Sequence, residues 1–258
     1  MKTTSVPFCG VMALVSAGLG LSALAAPPEL PEGYTLQYEQ SFETREGMED
    51  FMMTDASAWE LAQPDGNPAL ALTGESDYRP PHRSPLNIAL IKGLTFGSFI
   101  LEADIQQTGV RGVPIREYVA KHQDTSDSPG NAHRDFCFFF GFQDPARFLY
   151  IHVAKAGDNN AHQVFVVNES DRTPITDFRT AGANWGLEEW RKIRIVRDLD
   201  EGTVEIFFQD MLTPIMIADE VPLAWGFIGF GSFDDMGFVD NIKIWAPETK
   251  ASEQLFFD

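Results

Sequence analysis

The sequence predicts an all-β protein, a two-sheet antiparallel sandwich, and three observations carry that prediction. Apolar and polar residues alternate with period 2 through about a dozen short segments, the spacing of half-buried strands. Turn formers such as Asp144-Pro145, Pro64-Asp65-Gly66-Asn67 and Gly157-Asp158-Asn159-Asn160 separate those segments. The 21 phenylalanines among 258 residues supply a core without disulfides.

The segments follow in order. Residues 1–25 have a basic start at Lys2, an apolar run from Val11 to Leu24 and Ala23-Leu24-Ala25 as a cleavage site, the pattern of a secretory signal peptide. The mature chain is then expected to begin at Ala26, in the periplasm or outside the cell. Cys9 leaves with that signal, so Cys137 has no partner for an internal disulfide and reads as a small buried hydrophobe. Residues 26–33 form a Pro-rich leader, 34–247 one sandwich domain and 248–258 a tail, frayed apart from its last aromatics. No later apolar stretch approaches the roughly 18–20 residues that span a bilayer. The net charge of −19 argues against nucleic acid and anionic membranes as partners.

Within the domain, Tyr34 to Phe42 reads as a strand and Glu43 to Asp50 as a helical turn. Short strands are expected at Ala58 to Leu61, Ala69 to Leu72 and Asn87 to Ile91. Ser98 to Thr108 should turn Phe99, Leu101, Ala103 and Ile105 inward and Glu102, Asp104 and Gln106 outward. Gly109 to Ala132 has no period and reads as a long loop. Further strands follow at Trp190 to Arg197, Thr203 to Gln209, Ile215 to Ala218, Gly226 to Phe233 and Gly237 to Trp245.

Between these lie three strands from His133 to Asn168, the densest mix of aromatic and ionisable residues in the chain. In the first, Arg134, Phe136, Phe138, Phe140 and Phe142 share one face; Asp135, Cys137, Phe139 and Gly141 share the other. In the second, Phe148, Tyr150, His152 and Ala154 oppose Leu149, Ile151 and Val153. In the third, His162, Val164, Val166 and Asn168 oppose Gln163, Phe165 and Val167.

The order Trp190-Arg191-Lys192, Gly202-Thr203-Val204-Glu205-Ile206-Phe207, Gly226 to Ser232 and Phe238-Val239-Asp240-Asn241-Ile242-Lys243-Ile244-Trp245 resembles concanavalin A-like, laminin-G-like jelly rolls. More closely it resembles the secreted bacterial 3-keto-disaccharide hydrolase domains. The resemblance implies a curved sandwich with a concave, glycan-facing sheet, and a polysaccharide or oligosaccharide as partner. Glu102, Asp104 and Gln107 resemble the Glu-x-Asp-x-x-Glu strand of laminarinase-type glycosidases. A retaining mechanism needs two carboxyl groups about 5 Å apart, and the amide of Gln107 supplies neither acid nor base, so the strand reads as a polar stripe.

Candidate chemistry rests on residue types. Polysaccharide elimination needs a group against the uronate carboxylate and a Tyr or His to move a proton, which makes His133, Tyr150 and His152 acid/base candidates. Arg134, Asn168 and His162 are candidates to hold substrate, with Arg83 at the rim and Trp185 to stack on a sugar. Tyr150 and His152 read equally as a sugar platform or a structural pair. Asp234, Asp235 and Asp240 offer oxygen ligands for a structural Ca²⁺, or serve only as a turn and a strand cap. Three functions stand at this level: a hydrolase or lyase acting on glycans, a carbohydrate-binding module, and a structural or adhesive exported domain.

Overall fold

The computed structural model describes residues 30–122 and 134–257. The signal-like segment 1–25 with Cys9, and the candidate His133, lie outside the described residues. Pro31–Asp258 forms one compact unit.

Among the described residues, two antiparallel sheets carry most of the chain. The ten-stranded sheet runs in the order Phe178–Arg179, Met216–Ala218, Thr203–Phe208, Arg191–Asp198, Phe99–Val110, Asp235–Ala246, Ala69–Leu72, Trp59–Ala62, with Thr35–Gln40 also on Asp235–Ala246 and Val113–Pro114 on Phe99–Val110. The seven-stranded sheet runs Thr173–Pro174, Gln163–Asn168, Arg147–Ala154, Asp135–Asp144, Phe227–Ser232, Asn87–Ile91, Phe51–Met53. Strands distant in sequence lie side by side, as Phe227–Ser232 does with Asp135–Asp144, which is the crossing connection of a jelly roll.

Strand alternation sorts the side chains into two apolar clusters. Leu101, Ala103 and Ile105 of the larger sheet meet Phe136, Phe138, Leu149 and Ile151 of the smaller one in the core between the layers. Cys137, Phe139, Phe148, Tyr150 and Phe165 point the opposite way and form a second cluster on the outer face of the seven-stranded sheet. That face is therefore a packed aromatic surface, and the chain's own C-terminus covers part of it. Phe256 and Phe257 pack on this cluster, Phe256 against Phe142 and Phe227, Phe257 edge-on against Tyr78.

Four local expectations need correction. Phe142 belongs to the outer cluster, because Gly141 adopts φ 55 and the pairing shifts there, so a bulge turns the next side chain over. A Cβ at Gly141 would lie 2.8 Å from the Leu223 carbonyl oxygen, which leaves glycine as the residue that fits. The expected loop from Gly109 holds a helix, Ile115–His122, which starts directly after Pro114 and carries Glu117 in its first turn and Lys121 and His122 in its last. The tail is not frayed: Thr249–Ser252 pairs with Gly93–Phe96, and Lys250 Nζ lies 3.4 Å from the Trp225 ring centroid. Gln107, expected in a solvent-facing polar stripe, is buried, because the alternation that turns Leu101, Ala103 and Ile105 inward turns it inward too, where it meets Arg134 and Asp235. Among the described residues no helix is long and apolar enough to cross a membrane.

Candidate functional site

Two paired strands build the floor of the site. Asp135 and Cys137 are two residues apart and so share a face, and the antiparallel register sets His152 opposite Cys137 and Tyr150 opposite Phe139. Asp135, Cys137, Tyr150 and His152 therefore stand together on the outer face of the seven-stranded sheet, all buried. His152 Nε2 lies 2.9 Å from Asp135 Oδ2, and His152 Nδ1 lies 3.1 Å from the carbonyl oxygen of Asn160. That carbonyl is held in place by its own loop. Asp158 accepts from the Asn160 amide at 2.6 Å, and the Asp158 carbonyl accepts from Gln163 and Arg179.

A chain of buried polar groups fixes Asp135 from below. Arg134 Nε donates to Gln107 Oε1 at 2.8 Å, Gln107 Nε2 donates to Asp235 Oδ2 at 2.9 Å, and the same carboxylate oxygen accepts from the Asp135 amide. Ser232 Oγ donates to Asp135 Oδ1 at 3.2 Å, and Arg134 also donates to the Gly186 carbonyl. Burial pushes Asp235 well above the usual carboxylate range, with Asp135 adding to the effect, and pulls Arg134 down to about 10. Burial likewise pushes the Cys137 thiol well up, again with Asp135 beside it.

Above this floor lies a cavity of about 310 Å³, into which Asp135 and His152 open. Its wall includes Arg83, Arg111, Arg172, Asp158, Asn160 and Phe233. Arg172 is the best placed of these. Its Cζ lies 4.7 Å from the ring centroids of both Phe165 and Phe233, and its Nη1 donates to the Tyr150 hydroxyl at 2.8 Å. The guanidinium is clamped between two aromatic rings while it borders the cavity.

The candidates from the sequence separate accordingly. His152 is on the floor and Arg83 on the wall. Tyr150 is adjacent but fully buried beneath Arg172, and burial pushes its phenol up. Arg134 is fully buried in the polar chain and cannot reach a substrate. His162 is fully buried and does not line the cavity, with Nε2 3.0 Å from Thr180 Oγ1, and burial holds it down to about 4, so it is a neutral structural group. Asn168 is exposed at the strand end opposite Arg147, about 17 Å along the strand from His152. Trp185 is 1% exposed and packs edge-on against Phe208, which excludes sugar stacking.

The three metal candidates do not converge. Asp234 accepts from Arg111 Nε at 2.5 Å, Asp235 is committed to the buried chain, and Asp240 pairs across the ten-stranded sheet with Asp104, five residues farther along its strand. Five residues of strand are about 17 Å, too far for one Ca²⁺. Burial raises Asp240 to about 6, and its carboxylate accepts from the Asn241 amide, as a cap does. Glu102 and Asp104 lie on the other sheet, paired with Arg194 and Lys192.

Sequence reasoning missed Asp135, Arg172, Asn160 and Phe233 as site residues. Asp135 was within reach: pairing the two alternations would have set the Asp135 and Cys137 face beside that of Tyr150 and His152. Arg172 and Asn160 come from connections with no periodic pattern, and Phe233 closes the expected strand Gly226 to Phe233, one residue past the observed strand Phe227–Ser232.

No protein-family model matches the chain, and no curated protein matches its sequence. The resemblance to 3-keto-disaccharide hydrolase domains thus rests on the quoted motifs alone. Solved structures do match. The carbohydrate recognition domain of Emp47p is similar over 82% of this chain and 96% of that chain, at 11% identity and a TM-score of 0.50. A Bacillus subtilis protein of unknown function with a galectin-like fold is similar over 86% and 100%, at 11% identity and a TM-score of 0.49. The carbohydrate-binding module CBM66 from Bacillus subtilis is similar over 75% and 93%, at 12% identity and a TM-score of 0.48. Identities this low speak to fold alone, and the Emp47p match agrees with the crossing strand order in giving a two-sheet jelly-roll sandwich.

Proposed function

We propose that this is an exported carbohydrate-binding protein that holds a single sugar residue or a chain end in the cavity above Asp135 and His152. The observation that carries the reading is the cavity's composition. A clamped guanidinium, three carboxylates, an asparagine and an aromatic ring converge in about 310 Å³. Sugar hydroxyls both donate and accept, so Asp135 and Asp158 suit them as acceptors, Arg172 as a donor, and Phe233 as a surface for the ring's C–H face. That volume is at the small end of ligand pockets, which run from about 300 to 1,000 Å³, and favours one residue over a long chain. The covered sheet face points the same way, since an extended glycan would meet the aromatic cluster and the tail.

Two features favour recognition over cleavage. The Tyr150 hydroxyl is occupied by Arg172, and the glycosidase-like residues Glu102 and Asp104 are paired with cations on the other sheet. The test is a panel of immobilised glycans followed by calorimetry with the tightest oligosaccharide. Short oligosaccharides should bind as tightly as their polymers per chain end, and Arg172→Leu should weaken binding at least tenfold with the circular dichroism spectrum unchanged. No retention across the panel, or retention indifferent to Arg172→Leu, overturns the reading.

A further inference from the structure

Cys137 does not line the cavity, but it lies beneath it, beside the two lining residues Asp135 and His152. It is a free, fully buried thiol. Its sulfur, a carboxylate oxygen of Asp135 and a ring nitrogen of His152 all lie within 4.8 Å of one another. Strand geometry makes this fixed: Asp135 and Cys137 are same-face neighbours, and His152 is the cross-strand partner of Cys137.

The tautomer of His152 gives the cluster its meaning. The Asn160 carbonyl can only accept, so Nδ1 carries the ring proton and Nε2 presents its lone pair. That lone pair is directed into the cluster, where Nε2 has no hydrogen-bond partner although His152 is 5% exposed. Its near neighbour is Asp135 Oδ2 at 2.9 Å, another lone-pair donor. Two such atoms at this separation repel unless a positive charge lies with them, either a proton or a metal ion. A thiol as third member of the group favours the metal, since thiolate, imidazole and carboxylate together form the donor set of a borderline-soft ion.

We propose that Asp135, Cys137 and His152 bind a divalent transition-metal ion of the Zn²⁺ class, with a fourth position open to the cavity. Ligand atoms about 2.0–2.3 Å from a tetrahedral ion are roughly 3.3–3.8 Å apart, which small side-chain adjustments reach from the observed spacing. The Nδ1 contact to Asn160 and the Ser232 contact to Asp135 are the outer hydrogen bonds that orient such ligands. Binding replaces the S–H bond of Cys137 by an S–metal bond and releases that proton to solvent. The open position takes water or an oxygen of whatever occupies the cavity, so the site stands independently of the sugar reading.

The experiment uses the purified protein, stripped with a chelator and titrated with Co²⁺ in the absence of any sugar. A saturable site with one ion per chain, a near-ultraviolet thiolate-to-cobalt charge-transfer band, tetrahedral visible bands and displacement by Zn²⁺ is the expected result. Cys137→Ser should abolish the charge-transfer band, and His152→Gln should weaken binding at least tenfold. Absence of saturable binding, or bound Co²⁺ without the thiolate band, overturns the proposal; the second outcome decides on the wild-type protein even where a variant fails to fold. An imidazolium on His152 whose ring nitrogen resonances ignore an equivalent of Zn²⁺ overturns it as well. Because no sugar is present, neither result bears on glycan recognition.

Discussion

The Tyr150 hydroxyl accepts a 2.8 Å hydrogen bond from Arg172, and the same guanidinium lies 4.7 Å from the ring centroids of Phe165 and Phe233. The tyrosine thus serves the arginine. Tyr150→Phe should cost about 1.5–3 kcal/mol of stability, one hydrogen bond to a charged group, and leave glycan affinity within about threefold. Arg172→Lys keeps the charge but loses the planar stack, and should weaken binding about tenfold, or roughly 1.4 kcal/mol. Urea unfolding and calorimetry on both variants check the pair. Equal binding losses in the two would mean that the phenol itself meets the ligand.

The buried chain from Arg134 through Gln107 to Asp235 makes an unequal pair of predictions. Arg134→Met strands Gln107 Oε1 and the Gly186 carbonyl without a donor they now have, and should destabilise by about 3 kcal/mol or more. Asp235→Asn should cost less, about 1 kcal/mol, because burial already favours the uncharged form of that side chain. Denaturant midpoints with unchanged slopes give the comparison. A reversed order would show that Asp235 is held as the anion.

How far the site was legible can be traced residue by residue. Period 2 sorted Tyr150 and His152 from Leu149, Ile151 and Val153 correctly, because those residues sit in the middle of an unbroken ladder. It failed at Phe142, where the bulge at Gly141 inverts the face beyond it, and it was not applied at Gln107, which the alternation of Leu101, Ala103 and Ile105 already turns inward. Period 2 also grouped His162 with Asn168, but His162 precedes the strand at φ 55 and is buried against Thr180, while Asn168 is exposed at the strand's far end. Arg172 was beyond any periodic argument. Loop residues converge through the register of the strands that carry them, and that register is long-range information.

His162 should leave a signature in the pH dependence of stability. Burial lowers its folded-state value from 6.5 to about 4, so between those limits the unfolded chain binds the proton and the native chain does not. Stability from this group is therefore complete above pH 6.5 and is lost as pH falls toward 4, by about 3 kcal/mol in all. Asp240 works against it: raised to about 6, it contributes stability that is lost as pH rises through the same window. The wild-type profile is a sum, so the informative quantity is the difference between wild type and His162→Leu. That difference should shift against the wild type on going from pH 7 to pH 4. A difference independent of pH would mean that His162 protonates in place.

The C-terminal aromatics test whether the outer cluster is part of the fold or a detachable cover. Phe256 and Phe257 are partly buried and rest on Phe142, Phe227 and Tyr78, while Thr249–Ser252 is tied by strand pairing and Lys250 by its contact with Trp225. Full burial of a phenylalanine is worth about 1.5–3 kcal/mol, so two half-buried rings contribute about 2–3 kcal/mol. Ending the chain after Leu255 should lower stability by that amount, keep the strand from Thr249 to Ser252, and expose Phe142 and Phe227 to a hydrophobic dye. The floor at His152 and Asp135 lies about 17–24 Å along the strands from Phe142, so sugar and metal binding should survive the truncation. Loss of both would mean that the aromatic face transmits its packing to the cavity; unchanged stability and dye binding would mean that the rings do not hold the tail down in solution.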